Sequence, residues 1–261
     1  MAPGKPDNQH LPDDLVELLE TRPEICVLTG AGVSAESGVP TFRDAQTGLW
    51  AKFDPLSLAS PEGFAEDPAT VWKWYSWRRE LISRVEPNDG HRALAGMQDA
   101  LPGLTLVTQN VDGLHQAAGA RDVLELHGNI RRTICSRTRR EIPAEWLEAH
   151  SRDHPPPSPH DPEGLARPDV VWFGEALDRE VLEAALEAAD RCRLCIVAGT
   201  AGTVEPAASI PRVAARAGAR VVDINPEVTE IGRAADWHLE GTSATWLPRI
   251  AAALSGSPGP G

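Results

Sequence analysis

The stretch that most constrains this chain is Leu28-Thr29-Gly30-Ala31-Gly32-Val33-Ser34-Ala35-Glu36-Ser37-Gly38-Val39-Pro40-Thr41-Phe42-Arg43-Asp44. It extends a short apolar run, Ile25-Cys26-Val27-Leu28, of the kind that forms a buried parallel strand. Gly30 and Gly32 permit a sharp turn and let backbone N–H groups approach a ligand with no Cβ in the way. A helix starting near Ser34 aims its first N–H groups at the same spot, where a pyrophosphate is favoured. Gly38 lies too far along for the usual dinucleotide fingerprint. The tail Val39-Pro40-Thr41-Phe42-Arg43-Asp44 adds an aromatic and an arginine that a phosphate cradle alone does not need.

The same plan repeats along the chain. Apolar runs at 104–108, 123–128, 169–175, 194–198 and 220–225 read as strands. Helical patterns at 11–20, 70–85, 88–100, 178–189 and 206–217 separate them, and prolines and turn formers fill 45–68. Polar residues follow the strands: Gln109-Asn110-Val111-Asp112, His127, Gly199-Thr200, and the 220–225 run itself ends in Asn225. Open α/β sheets bind ligands at such strand ends. The fold class is α/β, a doubly wound parallel (Rossmann-like) sheet with a smaller inserted module. The main domain is discontinuous, over 11–44, 88–128 and 169–254. Residues 45–87 form a helical part of the small module, 129–168 an insert without sheet periodicity, and 1–10 and 255–261 disordered tails.

Composition narrows the function classes. A net charge of −13 argues against a nucleic-acid partner. No apolar run is long enough to span a membrane, and the first residues lack the plan of a signal peptide. Cys26, Cys135, Cys192 and Cys195 are too few and too scattered for a disulfide framework, so a reducing cytoplasm is the default compartment.

Several motifs in the same order resemble the sirtuins, the NAD-dependent protein-lysine deacylases. Besides the opening run these are Thr108-Gln109-Asn110-Val111-Asp112, Leu124-Glu125-Leu126-His127-Gly128, Val170-Val171-Trp172-Phe173-Gly174-Glu175, Gly199-Thr200 and Ile224-Asn225-Pro226-Glu227. The resemblance implies NAD as cofactor and acyl-lysine side chains of other proteins as partners. It makes His127 the general base for a ribose hydroxyl, a task an imidazole titrating near neutrality suits. Taken alone, His127 also reads as a structural histidine at a strand end. The implied reaction gives nicotinamide, O-acyl-ADP-ribose and free lysine. Asn110 is to orient a water and ribose, Asp112 to bind the nicotinamide carboxamide, and Gln109 to touch ribose. Phe42 is to shield the reacting face from water and Arg43 to hold that end of NAD. Gly30, Ala31, Gly32, Ser34, Ala35, Gly199, Thr200, Ala201, Asn225, Glu227 and Ser243 complete the implied NAD site. Asp169 to Glu175 is to pair with the substrate backbone as an added strand, with Val170, Phe173 and Gly174 as substrate residues.

Two departures and one subclass marker follow. A serine is usual at position 201 and here it is Ala201, which removes one hydroxyl contact, worth about 1 kcal/mol. Relatives carry two Cys-x-x-Cys pairs holding zinc, whereas here Cys135 is followed by Thr138, and 158–162 contains no cysteine. The expectation is a degenerate zinc-type module over 129–168 with no metal. Cys135, His150, His154 and His160 have zinc-compatible chemistry but irregular spacing. Cys192-Arg193-Leu194-Cys195 is expected to point its ends to opposite faces of a strand. Tyr75 and Arg78 share a helix face and resemble the Tyr-x-x-Arg of class III sirtuins, which remove succinyl, malonyl and glutaryl groups. The small Ala45 leaves room for a longer acyl chain. Protein mono-ADP-ribosyl transfer and non-enzymatic NAD or ADP-ribose sensing stand as alternatives. Oligomeric state is open.

Overall fold

The structure is a computed structural model that describes residues 10–39, 52–150 and 154–256. Its elements run α1 (Asp13–Glu20), β1 (Ile25–Thr29), α2 (Ala31–Ala35), α3 (Pro55–Leu58), α4 (Pro61–Glu66), α5 (Pro68–Ser83), α6 (Asp89–Ala100) and β2 (Leu104–Thr108). There follow α7 (Leu114–Ala117), β3 (Leu124–Glu125), β4 (Gly128–Cys135), α8 (Ala144–His150), β5 (Pro157–Ser158) and β6 (Asp161–Val170). The last are α9 (Arg179–Arg191), β7 (Leu194–Ala198), α10 (Ser209–Arg216), β8 (Arg220–Asn225), α11 (Glu230–Ala234), β9 (Trp237–Glu240) and α12 (Ser243–Leu254).

Alternation along each strand builds two cores on one sheet. Ile25 and Val27 of β1, with Leu194 and Ile196 of β7, bury against α1, α6 and α12. Cys26, Leu28, Cys195 and Val197 bury on the other face against α9 and α10. The sheet is parallel, in the order β3-β2-β1-β7-β8-β9. Strand order reverses between β1 and β7, so the switch point opens there, at the carboxyl ends of both strands. No helix among the described residues is long and apolar enough to cross a membrane.

Several expected elements differ. The helix after the glycine turn starts at Ala31, not near Ser34, because Gly30 takes the capping position in extended conformation. The 123–128 strand is only Leu124–Glu125, since Gly128, at φ +77, turns the chain into β4. The expected 169–175 strand ends at Val170, the end of β6, which runs antiparallel to β4. Beyond it, single bonds hold the chain: Val171 N–H to His127 O and Phe173 N–H to Ala59 O, 3.0 and 2.9 Å. The 129–167 insert does contain a sheet, ordered β4-β6-β5. A register shift between Asn129 and Thr133 breaks the period of two, which hides these strands from a pattern reading. Within the proline-rich 45–68 region the described part holds α3 and α4, each with proline in its first turn and a side-chain cap from Asp54 or Ser60. The C-terminal α11, β9 and α12 were not expected at all.

Candidate active site

At the switch point the β1–α2 turn and the loop after β7 lock together. Gly30 N–H donates to Ala198 O at 3.0 Å and Gly32 N–H to Gly199 O at 2.8 Å. A Cβ on Gly32 would lie 2.7 Å from Gly199 Cα, and one on Gly30 would lie 2.6 Å from Thr200 Cβ. Both glycines therefore serve loop-to-loop packing. This corrects the reading that their N–H groups face a ligand. The joint floors a cleft of about 470 Å³, a size suited to a small-molecule site.

On the first wall, Ser34 is the centre of a buried network. Its Oγ donates to Asp112 Oδ2 at 2.8 Å and accepts from Asn110 Nδ2 at 3.1 Å. His91 completes it. Its Nδ1 accepts from Asn88 N–H at 3.3 Å, so its Nε2 carries the proton and donates to Ser34 Oγ at 3.2 Å. Asn110 Nδ2 also donates to Gly30 O, and Asp112 Oδ1 accepts from Leu114 N–H, both near 3 Å. Beneath lies His115, its ring centroid 4.9 Å from that of His91, with Nε2 2.9 Å from Thr29 Oγ1. Burial lowers the pKa of both histidines, that of His115 to about 3. Neither histidine is legible as a site residue in the sequence; for His91 the signal was its place three residues after the Asn88 helix cap.

Across the cleft, Gln109 Nε2 donates to Thr200 Oγ1 at 3.0 Å and Asn225 Nδ2 to Thr200 O at 3.1 Å. The ends of β2, β7 and β8 are thus tied into one rim. His127 sits between the two walls. Its Nδ1 donates to Gln109 O at 2.9 Å, which leaves Nε2 as the basic nitrogen. Burial lowers its pKa against the opposing effect of that bond, so the ring is neutral near pH 7.

The third wall carries Tyr75 and Arg78, both buried and both lining the cleft. Tyr75 Oη accepts from Trp172 Nε1 at 2.9 Å. Burial raises the Tyr75 pKa, so the phenol stays a neutral donor. Burial lowers that of Arg78, with the Tyr75 hydroxyl and Asp112 opposing; a guanidinium stays charged even so. Trp172, and the Arg167 and Glu175 that brace it, are absent from the expected site set. Their signal was an aromatic within a motif assigned to backbone pairing.

The cleft also gathers Ala31, Val170, Phe173, Gly174 and Ala201, all exposed but the buried Val170. Gly32, Ala35, Asn225, Glu227 and Ser243 are not among its lining residues. Asn225 reaches it through Thr200; Ala35 and Glu227 are exposed, and Ser243 is buried at the start of α12. Phe42, Arg43 and Ala45 lie outside the described residues. A dinucleotide fits this donor set: amide and hydroxyl groups at one end, the Ser34–Asp112 network at the other. Ser243 Oγ, outside this lining, is buried with no partner among the described residues.

In the insert, the neighbours of Cys135 are Thr138 and Ser158 and not further cysteines. Burial works to raise the Cys135 pKa, but hydrogen bonds from Ser158, Thr138 and the Arg137 backbone bring it to about 7. His150 bonds Trp146 O through Nδ1 and His160 bonds Glu141 O through Nε2, both at 2.7 Å. No group of three metal-ligating side chains is arranged for an ion among the described residues. A hard-and-soft mixture with a single thiolate does not fit the tetrahedral zinc of the four-cysteine sites. Cys192 caps α9 rather than lying in a strand, and it packs in the same cluster as Cys195. The expectation of opposite faces is therefore wrong.

The Sir2 family model matches residues 30–206. An NAD-dependent protein deacylase of Aquifex aeolicus is 47% identical over 229 residues, 87% of this chain and 93% of its own. NAD-dependent protein deacylase 1 of Pseudomonas aeruginosa is 46% identical over 241 residues, 90% of this chain and 96% of its own. Among solved structures, a Sir2 homologue–NAD complex superposes with a TM-score of 0.86 at 38% identity, covering 95% of each chain. A Sir2–p53 peptide–NAD+ complex gives 0.79 at 28% identity over 95% of this chain and 99% of that one. With the sheet order, the switch-point cleft and this likeness along nearly the whole sequence, the chain belongs to the Sir2 family.

Proposed function

We propose that this chain removes succinyl and malonyl groups from protein lysines. The coarser activity, NAD-dependent protein deacylation, goes with its family and its deacylase relatives. The acyl preference rests on one observation: Tyr75 and Arg78, three residues apart on α5, are buried and both line the cleft. A guanidinium fork and a phenol donor suit a carboxylate at the end of an acyl chain. An acetyl group has no carboxylate for that fork to hold.

NAD, when bound, supplies an electrophilic ribose carbon with nicotinamide as its leaving group. The chain positions and dries this centre. Asn110 and Asp112, fixed through Ser34, hold the nicotinamide end; Gln109, Thr200 and Asn225 hold the ribose and phosphate rim. His127 Nε2 takes the proton of a ribose hydroxyl, its other nitrogen being tied to Gln109 O. The loop carrying Phe173 and Gly174 receives the substrate backbone. Ala201 contributes no hydroxyl to this rim, consistent with somewhat weaker NAD binding. The module around Cys135 works without zinc; purified protein is expected to hold far less than one zinc per chain and to keep its melting temperature in chelator.

The test is a comparison of succinyl- and acetyl-lysine peptides with Arg78→Met and Tyr75→Phe. Arg78→Met should cut the succinyl-to-acetyl ratio of kcat/KM by about 100-fold or more. Tyr75→Phe should cut it about fivefold, the size of one hydrogen bond. If both activities drop in parallel, the two residues are structural and the acyl preference is misassigned.

A further inference from the structure

Trp172 stands in an unusual frame. The Arg167 guanidinium lies 3.3 Å from its ring centroid, and Arg167 is itself buried. Arg167 donates to both carboxylate oxygens of Glu175, at 2.6 and 3.0 Å, and to Val170 O at 2.8 Å. Glu175 Oε2 in turn accepts from Trp172 N–H at 2.8 Å, and Glu175 N–H donates back to Trp172 O at 3.0 Å. Phe64 packs on the indole at 5.2 Å between centroids. The ring is therefore held on its backbone, one face and an edge. What this frame delivers is the single indole N–H, placed 2.9 Å from Tyr75 Oη.

That bond determines what the phenol can do. An indole N–H is only a donor, so Tyr75 must accept from it. The accepting lone pair faces Trp172, and the hydroxyl hydrogen has to point elsewhere. Accepting this bond leaves the single O–H hydrogen unused, and a guanidinium, which only donates, cannot take it either. With the indole N–H fixed on one side of the oxygen, the hydrogen is left to point away from Trp172, where an acceptor in the cleft can take it.

We infer that Trp172 is a specificity-determining positioning residue: its N–H, fixed by the Arg167–Glu175 pair, orients the Tyr75 hydroxyl as a donor toward the carboxylate of the acyl chain. The inference rests on the proposed reading of Tyr75 and Arg78 as the carboxylate site. It adds that the selectivity machinery reaches into the loop that also carries Phe173 and Gly174. Acyl choice and backbone binding therefore share one brace.

The test is a double-mutant cycle read as the succinyl-to-acetyl ratio of kcat/KM, with KM and kcat separated. Trp172→Phe keeps an aromatic ring over Arg167 and removes the N–H. It should lower the ratio about two- to fivefold, no more than Tyr75→Phe does, and mainly through the succinyl-peptide KM. In a Tyr75→Phe background the same change should add no further loss, because no hydroxyl remains to orient. If Trp172→Phe melts early, 3-benzothienylalanine at position 172 replaces N–H by sulfur within the same bicyclic shape and carries the same expectation. An unchanged ratio, or a full additional loss on top of Tyr75→Phe, overturns the inference. Arg78→Met in the same assay separates the two levels. If it leaves the ratio intact, the carboxylate reading itself falls, and this inference with it. If it collapses the ratio while the Trp172 variants do not move it, only the orienting role is wrong.

Discussion

At the residue scale, the chemistry turns on a neutral imidazole with one nitrogen committed. His127 gives its Nδ1 hydrogen to Gln109 O, so Nε2 is the proton acceptor. His127→Ala should reduce deacylation by about two orders of magnitude or more, the size of losing a general base. NAD binding by calorimetry should persist, and near-normal turnover of the variant would refute the assignment. Because burial lowers the pKa of His127, the basic form dominates at neutrality and the acid limb of kcat/KM should fall below the ordinary histidine value. That His127, Asn110 and Asp112 meet at one cleft was legible, because each follows a strand whose carboxyl end faces the switch point. His91, His115 and Trp172 were not, since a sequence does not display which polar groups burial will join. The role of Gly30 and Gly32 was legible only halfway: the need for glycine was plain, but its cause is the backbone of Gly199 and not a ligand.

At the element scale, the β1–α2 turn and the β7 loop behave as one part. Gly32→Ala places a methyl 2.7 Å from Gly199 Cα and 2.9 Å from Gly199 O, with backbone on both sides. The two loops must separate, at a cost of about 1–3 kcal/mol. The expected result is a lower melting temperature together with at least about tenfold weaker NAD binding, since 1.4 kcal/mol is a factor of ten. A variant that binds NAD normally would show that the joint does not shape the site. Uniformly buried strands such as β1 and β7 could be read from short apolar runs. The β4–β6 pair could not, because its bulge and Pro168 interrupt the alternation. The β6 ending at Val170 shows the limit of an apolar run: 170–173 is buried or half-buried up to Trp172, yet hydrogen-bonds to two different partners rather than one strand.

At the scale of the whole molecule, the site is set over a pair of buried neutral histidines, and that has a consequence for stability. His115 titrates near 6.5 when unfolded and near 3 when folded, because burial disfavours its charged form and His91 adds to this. Its Nδ1 has no hydrogen-bond partner among the described residues, so a proton there would be uncompensated. Between those values the unfolded chain binds the extra proton. The stability this group contributes is complete above 6.5 and is lost as pH falls toward 3. His91, also lowered by burial, acts in the same direction. Each such proton corresponds to about 1.4 kcal/mol per pH unit. Denaturant unfolding at pH 7.5 and 5 should show a marked loss, and His115→Gln, which cannot take the proton, should flatten the slope. An equal slope in the variant would contradict this.

The doubly wound sheet with its insert was readable from the order of runs and punctuation, because parallel strands buried on both faces leave few other arrangements. What joins the small module to the cleft was not. Tyr75 and Arg78 come from α5 and Trp172 follows β6, and only the folded chain brings them to one wall of the cleft. The central claim is that this wall reads a carboxylate. The most direct measurement is steady-state kinetics of the unmodified protein on one peptide carrying succinyl-, malonyl- or acetyl-lysine, with NAD, followed by mass spectrometry. The account predicts kcat/KM at least about tenfold higher for the succinyl and malonyl peptides than for the acetyl peptide, and no product without NAD. An acetyl peptide processed as well as or better than its succinyl counterpart would contradict it.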